Sequence, residues 1–151
     1  MAARRITQSA SKSKPKPTMR TLSKLLVSDY VSYDVRSIQQ DAPLREAGRL
    51  LVKWKVGSLL VDDGRRYVGI ITDTDLSRRG VARGMDPNVT IVKQCMSRPV
   101  LTIEDDELLA TAIALMKQKG IRHMAVTEDQ TIVGVLSVSD LLRAYADVAG
   151  Q

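Results

Sequence analysis

The sequence predicts a mixed α/β (α+β) fold, in which two β-α-β-β-α repeats pack in pseudo-two-fold fashion behind a disordered, basic N-terminal tail. Three observations lead to this prediction: an internal repeat that places Val35 on Val100, the same succession of strand and helix patterns in both copies, and positive charge concentrated at the N-terminus. The expected divisions are a tail at residues 1–24, a first repeat at 25–88 and a second repeat at 89–147.

Charge separates the tail from the rest of the chain. The tail holds seven Lys or Arg side chains and no acidic one, whereas the rest of the chain carries 16 basic and 17 acidic side chains. Like charges, low hydrophobicity and prolines at positions 15 and 17 predict a solvated, disordered arm. Two other roles stay open: a targeting segment rich in Arg and Ser, and an arm that contacts nucleic acid phosphates.

The composition excludes several classes of protein. No apolar run approaches the ~20 residues of a membrane-spanning helix. With 3% aromatic residues, the chain offers few rings on which single-stranded nucleic acid could stack. One Cys and one His can form neither an intramolecular disulfide nor a structural zinc site. We therefore expect a cytoplasmic protein that binds neither membrane nor metal.

The internal repeat is the most informative feature. When Val35 is placed on Val100, the two segments align without a gap as far as Arg78 on Arg143. Matching residues include Ile38 and Ile103, Leu44 and Leu109, Ala47 and Ala112, Val61 and Val126, Gly69 and Gly134, and, upstream, Ser32 and Ser97. A gapless register of this length indicates two copies of one unit, each too small to bury much alone.

Each copy opens with a strand and a helix. The first strand is predicted at 35–38 and again at 100–103, where short β-rich runs occur. Leu44, Ala47 and Leu51 have helical spacing, and Pro43 suits the first turn of that helix. The equivalent helix is predicted from Leu108 to residue 119, because Gly120 is a favourable C-terminal stop.

A hairpin and a closing helix complete each copy. In the first copy, the runs 59–61 and 67–71 flank Asp63-Gly64, a strong hairpin signal. In the second copy, the runs 124–126 and 132–136 flank a polar turn at 128–129. Closing helices are predicted to start near Asp73 and near Val138.

The junction between third strand and closing helix carries the sharpest motif. It reads Gly-Ile-Ile-Thr-Asp-Thr-Asp at 69–75 and Gly-Val-Leu-Ser-Val-Ser-Asp at 134–140. Thr72 with Asp75, and Ser137 with Asp140, have the spacing of a helix capping box, which explains hydroxyl and acid without any ligand. A ligand is the other interpretation: the glycine permits close approach of a ligand or another backbone, free N–H groups at the helix start favour phosphate, and the acid could accept ribose hydroxyls.

The doubled unit with this motif resembles the CBS domain, and the pair resembles a Bateman module, over about residues 25–147. The resemblance implies two clefts between the repeats that bind AMP, ADP or ATP, with NAD and S-adenosylmethionine as further candidate ligands. It places Asp75 and Asp140 at ribose, and Thr72 and Ser137 at ribose or phosphate. It also implies flat homodimers.

Further ligand contacts follow from the same resemblance. The base is expected beside the first strand of each copy, which implicates Val35, Arg36, Val100 and Leu101. Arg122 and His123 occupy positions where the family often has basic phosphate contacts; the other interpretation is a solvated Arg and a packed or exposed His.

Two departures complicate this picture. The first copy has Gly57-Ser58 where the second has Arg122-His123, so the two clefts need not be equivalent. Arg78 and Arg143 also follow their acids at matching places, where ion pairs on the helix surface are an equally good interpretation.

The sequence therefore predicts a sensory or regulatory binding module rather than an enzyme. No P-loop, dinucleotide fingerprint or nucleophile elbow is present, and no metal ligands or cofactor acting as catalyst are expected. The adenine nucleotide would alter a surface that an unknown regulated protein reads. The alternative is a dimeric protein that associates with nucleic acid through residues 1–24.

Overall fold

The computed structural model describes residues 23–150, so the predicted tail lies outside the described residues except for its last two. The first copy contains β1 (Ser37–Gln39), α1 (Leu44–Trp54), β2 (Ser58–Asp62), β3 (Tyr67–Thr72) and α2 (Asp73–Asp75), which continues as a π-helical turn at Leu76–Gly80 and a 3-10 turn at Val81–Arg83. A short helix α3 (Val92–Cys95) leads into β4 (Thr102–Glu104), α4 (Leu109–Lys119), β5 (His123–Glu128), β6 (Thr131–Ser137) and α5 (Val138–Gly150). None of these helices has the length and apolar character needed to cross a membrane.

Two three-stranded sheets with the same topology confirm the predicted mixed fold. β1-β2-β3 and β4-β5-β6 each join a parallel pair to an antiparallel hairpin. Ser37 pairs with Leu60 in the first sheet, and Thr102 pairs with Ala125 at the equivalent place in the second. Even the register shift recurs, between Val61 and Asp62 and between Val126 and Thr127. The register of the sequence repeat thus holds in three dimensions.

The opening strands and the first helix begin later than predicted. β1 starts at Ser37 and β4 at Thr102, two residues beyond the predicted starts, because Val35 and Val100 instead pack against the core between the two sheets. Pro43 precedes α1 as its N-cap, since its ψ of 148° is extended rather than helical.

The segment ahead of each copy packs on the other copy. Ser32 bridges to Val135 of β6, and Ser97 bridges reciprocally to Ile70 of β3. Apolar side chains follow the same rule, since Val27 lies in the core of the second sheet and Val92 lies in the core of the first. Residues 25–32, assigned to the first repeat by sequence position, therefore contact the second repeat. We call this exchange, in which the segment ahead of each copy packs on the other copy, the crossing of segments.

A third core joins the two sheets. Leu60, Ile70 and Ala125 are buried there, and Val35 and Val100 pack against them. Apolar area buried between two small units is what makes them stable together, since each buried aliphatic side chain contributes about 1.5–3 kcal/mol.

The two motif glycines, Gly69 and Gly134, leave room for the backbone of another segment to pass close to them. A Cβ at Gly134 would lie 2.6 Å from the carbonyl oxygen of Ser32, and one at Gly69 would lie 2.8 Å from that of Ser97. Of the two explanations offered by the sequence, close approach of another backbone is therefore the one that the fold realises.

Gly134→Ala is expected to lower the free energy of unfolding by about 1–3 kcal/mol, because the added methyl group must displace the crossing segment. Gly48→Ala is the matched control, since its Cβ would lie 3.8 Å from Leu76 in ordinary contact. In helix α1 that change should stabilise by about 0.5–1 kcal/mol. Urea denaturation measures both; equal effects of the two changes would contradict the crossing.

Candidate functional site

Two cavities between the repeats match each other in the register of the sequence repeat. The first cleft, of about 380 Å³, surrounds Thr72 and Asp75. The second cleft, of about 340 Å³, surrounds Ser137 and Asp140. Equivalent lining residues are Ile70 and Val135, Thr74 and Ser139, Ser97 and Ser32, and Ile121 and Val56. Arg122 and His123 line both clefts. Each cleft therefore brings its own hydroxyl residue and acid together with these two shared residues, all of them predicted site residues.

The hydroxyl and the acid of each motif form a capping box. The Asp75 N–H donates to Thr72 Oγ1 at 3.1 Å, and Thr72 donates to Asp75 Oδ2 from both its N–H (3.1 Å) and its hydroxyl (3.0 Å). Ser137 and Asp140 repeat the arrangement at 2.8 to 3.3 Å. The structural role of the motif is thus confirmed in both copies, and a ligand must use the acceptor capacity that capping leaves over.

The two acids differ in that remaining capacity. Asp75 Oδ1 already accepts a hydrogen bond from Ser97 Oγ at 3.1 Å and lies 3.6 Å from Arg79 Nε, with the side chain 9% exposed. Asp140 Oδ1 forms an ion pair with Arg143 at 3.1 Å, and its side chain is 15% exposed. Ser32, the counterpart of Ser97, forms no described hydrogen bond with Asp140. Asp140 is therefore the more accessible acceptor for a ribose diol.

The helix start of the first copy differs from the predicted phosphate site. Its N–H groups are occupied: Asp73 N–H donates to the Gly57 carbonyl at 3.1 Å, and Thr74 N–H donates to Asp73 Oδ1 at 2.8 Å. In the second copy the Val138 N–H is likewise occupied, since it donates to the Arg122 carbonyl at 3.0 Å, but Val138 offers no side-chain acceptor like that of Asp73. A phosphate in the first cleft must therefore be held by side chains.

His123 lies between the clefts, and Gly57 makes room for it. A Cβ at Gly57 would lie 2.8 Å from His123 Nε2, which gives a packing reason for glycine at the position that Arg122 occupies in the other copy. Burial lowers the pKa of His123 below its ordinary value; the Asp73 carboxylate opposes this shift, and the Arg122 guanidinium reinforces it. The imidazole is thus packed mainly in its neutral form at pH 7.

Acid should destabilise the protein through this imidazole. The unfolded chain gains the proton near pH about 6.5, whereas the folded protein gains it only at lower pH. The stabilisation is therefore complete above pH about 6.5 and is lost as pH falls towards the lowered folded value. We expect the Tm measured without ligand to fall between pH 7.5 and 5.5, and His123→Gln, which removes the chain's one imidazole, to reduce that fall. If Tm falls equally far in His123→Gln, the loss of stability in acid comes from titratable groups other than His123.

The four residues predicted to contact the base divide into three sets. Arg36 lines the second cleft, where it pairs with Asp34 at 2.6 Å and lies 4.9 Å from the Trp54 ring centroid. Val35 and Val100 pack in the core between the sheets, and Val100 also borders an open groove of about 820 Å³ that contains none of the motif residues. The Leu101 carbonyl accepts the Ala125 N–H at 3.0 Å and lines neither cleft.

The ion pair expected between each motif acid and the arginine three residues later is described in only one of the two copies. Arg143 pairs with Asp140, as one interpretation of the sequence has it, but Arg79 rather than Arg78 pairs with Asp75. Residues three and four positions after an acid both lie beside it on a helix, and only the first copy has an arginine at the fourth position, since the residue equivalent to Arg79 is Ala144. Arg78 lines the first cleft and forms none of the described ion pairs.

Sequence reasoning missed several lining residues. Asp34, Lys55 and Asp73 line the second cleft, and Lys119 lines the first. The matched pair Ser32 and Ser97 was visible in the repeat, although its place in opposite clefts depends on the crossing of segments. Within residues 23–150, no group of three or more His, Cys, Asp or Glu side chains is placed to hold a metal ion.

Both repeats match one family of known proteins. The CBS domain family matches residues 27–81 and 92–147. An uncharacterized protein of Methanopyrus kandleri, MK0525, is 31% identical over 113 residues, which cover 72% of this chain and 58% of that protein. The chain spans only 22% and 21% of the lengths of two further relatives, the CBS domain-containing proteins CBSCBSPB2 and CBSCBSPB3 of Arabidopsis thaliana, each 30% identical to it.

Two solved structures share the fold over 81% and 82% of this chain. An uncharacterized conserved protein from Pyrococcus horikoshii superposes with a TM-score of 0.74 at 30% identity, covering 81% of this chain and 92% of that one. The CBS domain pair of protein MJ0100, solved in complex with 5′-methylthioadenosine and S-adenosyl-L-methionine, has a TM-score of 0.72 at 26% identity and covers 82% of this chain and 97% of that one.

Proposed function

Because this chain belongs to the CBS domain family, with two domains at residues 27–81 and 92–147, we propose that it is a non-enzymatic sensor of adenine nucleotides. CBS pairs are usually regulatory modules for ligands that contain adenosine, and the related pair of protein MJ0100 was solved with two such ligands. AMP, ADP and ATP are the leading candidates here, and NAD and S-adenosylmethionine follow. The proposed setting is the cytoplasm.

One observation carries this proposal: two equivalent clefts each hold a partly buried carboxylate beside basic side chains. Asp75 and Asp140 supply acceptors for a ribose diol. Arg122 lines both clefts and is exposed, so its guanidinium is available to a phosphate. Occupancy by a ligand would favour one arrangement of the two repeats over others, provided that the ligand binds the two arrangements with different affinity.

Calorimetric titration of the full chain with AMP, ADP, ATP, NAD and S-adenosylmethionine tests the proposal. We expect saturable binding of at least one compound, and recovery of that compound unchanged after prolonged incubation with the protein. Absence of binding by all five would overturn the sensor, and consumption of the bound compound would overturn its non-enzymatic character.

Partners are proposed from the surface and the tail. On α5, Leu142 and Tyr145 lie three residues apart on one side of the helix and are 65% and 55% exposed, which favours contact with a second copy or with a regulated protein. We propose a homodimer, and light scattering of the purified chain should give twice the monomer mass of 16.6 kDa. A monomer mass would overturn the homodimer.

The second candidate function uses the tail. The seven basic side chains of residues 1–24 favour attraction to nucleic acid phosphates. Deleting residues 2–20 distinguishes this function from the sensor. Loss of nucleic acid binding together with its steep salt dependence would support it, and equal binding by the deleted chain would overturn it.

A further inference from the structure

We propose that the two clefts bind ligands of different charge: the first cleft binds the polyphosphate of an adenine nucleotide, and the second cleft binds an adenosine compound without a polyphosphate. This division rests on the proposed function and deepens it. It follows from the residues in which the two copies differ.

The first cleft carries an excess of positive charge. It is lined by one acid, Asp75, and by four basic residues, Arg78, Arg79, Lys119 and Arg122. Arg79 is committed within the protein, because it donates to the Met96 carbonyl at 2.8 Å and approaches Asp75. The other three cations are exposed and form none of the described ion pairs.

Those three cations can supply the hydrogen bonds to a phosphate that the backbone N–H groups at the start of α2 do not. The backbone N–H groups of Asp73 and Thr74 are already hydrogen-bonded, so the backbone offers a phosphate little there. Guanidinium and ammonium groups bind phosphate oxygens through charge-assisted hydrogen bonds, and a triphosphate has enough oxygens to engage several cations at once.

The second cleft carries less positive charge. Its three basic residues, Arg36, Lys55 and Arg122, face three acids, Asp34, Asp73 and Asp140, of which Asp140 is also paired with Arg143. Arg36 is held by Asp34 at 2.6 Å and stacks near Trp54, so it is not free for phosphate. Asp73, which takes no part in the capping box of this cleft and forms none of the described ion pairs, would repel a polyphosphate. A neutral or cationic adenosine compound fits this environment better.

The experiment compares two probes, ATP without magnesium and adenosine, on the full chain. Trp54 is the only tryptophan and stacks near Arg36, so its fluorescence reports on the second cleft. We expect adenosine to change Trp54 fluorescence, ATP to bind in calorimetry with little change in it, and each probe to bind in the presence of the other. Competition between the two probes for one shared site would overturn the division.

Charge reversal on one helix supplies the matched variants. Lys119→Glu in the first cleft should weaken ATP binding at least tenfold and change adenosine binding less than twofold. Lys117→Glu, two residues earlier and outside both clefts, should change either affinity less than twofold. Equal effects of both variants on ATP would overturn the division while leaving the sensor intact. Failure of both probes to bind the unaltered chain would overturn the division. The sensor would survive if another of the five compounds bound, and would fail together with the division if none did.

Discussion

Replacing Asp140 with alanine is expected to weaken binding of the adenosine ligand in the second cleft about ten- to 150-fold. The reason is that hydrogen bonds to a charged group contribute about 1.5–3 kcal/mol, and about 1.4 kcal/mol is a factor of ten in affinity. Asp140 Oδ1 pairs with the exposed Arg143, a contact that a ribose diol can replace, whereas Asp75 Oδ1 is already engaged by Ser97. The equivalent Asp75→Ala should therefore have the smaller effect on its own cleft.

The capping role of Asp140 calls for a control. Asp140→Ala removes hydrogen bonds that cap α5, so it should also cost about 1 kcal/mol of stability. Gln94→Ala removes the same kind of bond, in which the Ile91 N–H donates to Gln94 Oε1 at 2.9 Å, and Gln94 lies outside both clefts. Calorimetric titration should give unaltered affinity for Gln94→Ala. Unaltered affinity for Asp140→Ala as well would mean that the acid serves only as a cap.

Combining Val27→Ala with Val31→Ala is expected to lower the free energy of unfolding by about 3–5 kcal/mol, since each change removes two buried carbons and leaves a cavity. Both side chains are buried, at 0% and 9% exposure, in the core of the second repeat. The segment that carries them is held by paired hydrogen bonds between Ser32 and Val135 at 2.9 and 3.0 Å. A loss of this size is a large part of the total stability of a small protein, about 5–15 kcal/mol.

Exposed valines provide the comparison for this pair of changes. Val52 and Val89 are 79% and 74% exposed, so their replacement by alanine should stay within about 0.5 kcal/mol. Hydrogen exchange adds a test of location: the amides of β6 should lose more protection than those of β3. Greater loss in β3 would mean that the segment packs on its own repeat, contrary to the crossing.

The repeat and the capping boxes could be predicted because both depend on neighbours in sequence. Periodicity indicated the order of strands and helices, and the spacing of Thr72 and Asp75 specified a hydrogen-bond pattern within one turn. The crossing of segments could not be predicted, because Val27 would look equally apolar on either repeat. Its only trace in the sequence was the pair Gly69 and Gly134, whose missing side chains admit the crossing backbones.

The difference between the clefts was only partly predictable. Gly57 and His123 occupy nearly equivalent positions, and the sequence indicated an asymmetry there, but their direct contact depends on how the two repeats face each other. The position of Arg36 in the same cleft as Asp140 likewise follows from the crossing rather than from any local pattern. The π-helical turn after Asp75 was not predicted, and neither was the pairing of Asp75 with Arg79, whose counterpart in the second copy is Ala144.

Thermal unfolding with and without ligand tests the central claim most directly, when the unaltered chain is compared with the double variant Asp75→Ala and Asp140→Ala. A ligand at one hundred times its Kd stabilises by about 2.7 kcal/mol, which raises Tm by about 5–10 °C for a chain of this size. We expect at least one of AMP, ADP, ATP, NAD and S-adenosylmethionine to raise the Tm of the unaltered chain, and to raise that of the double variant by at most about half as much, since a ten- to 150-fold loss of affinity leaves only about 1.4 to 0.3 kcal/mol of the stabilisation. An equal rise in both proteins, or no rise in either, would contradict ligand binding through the two motif acids.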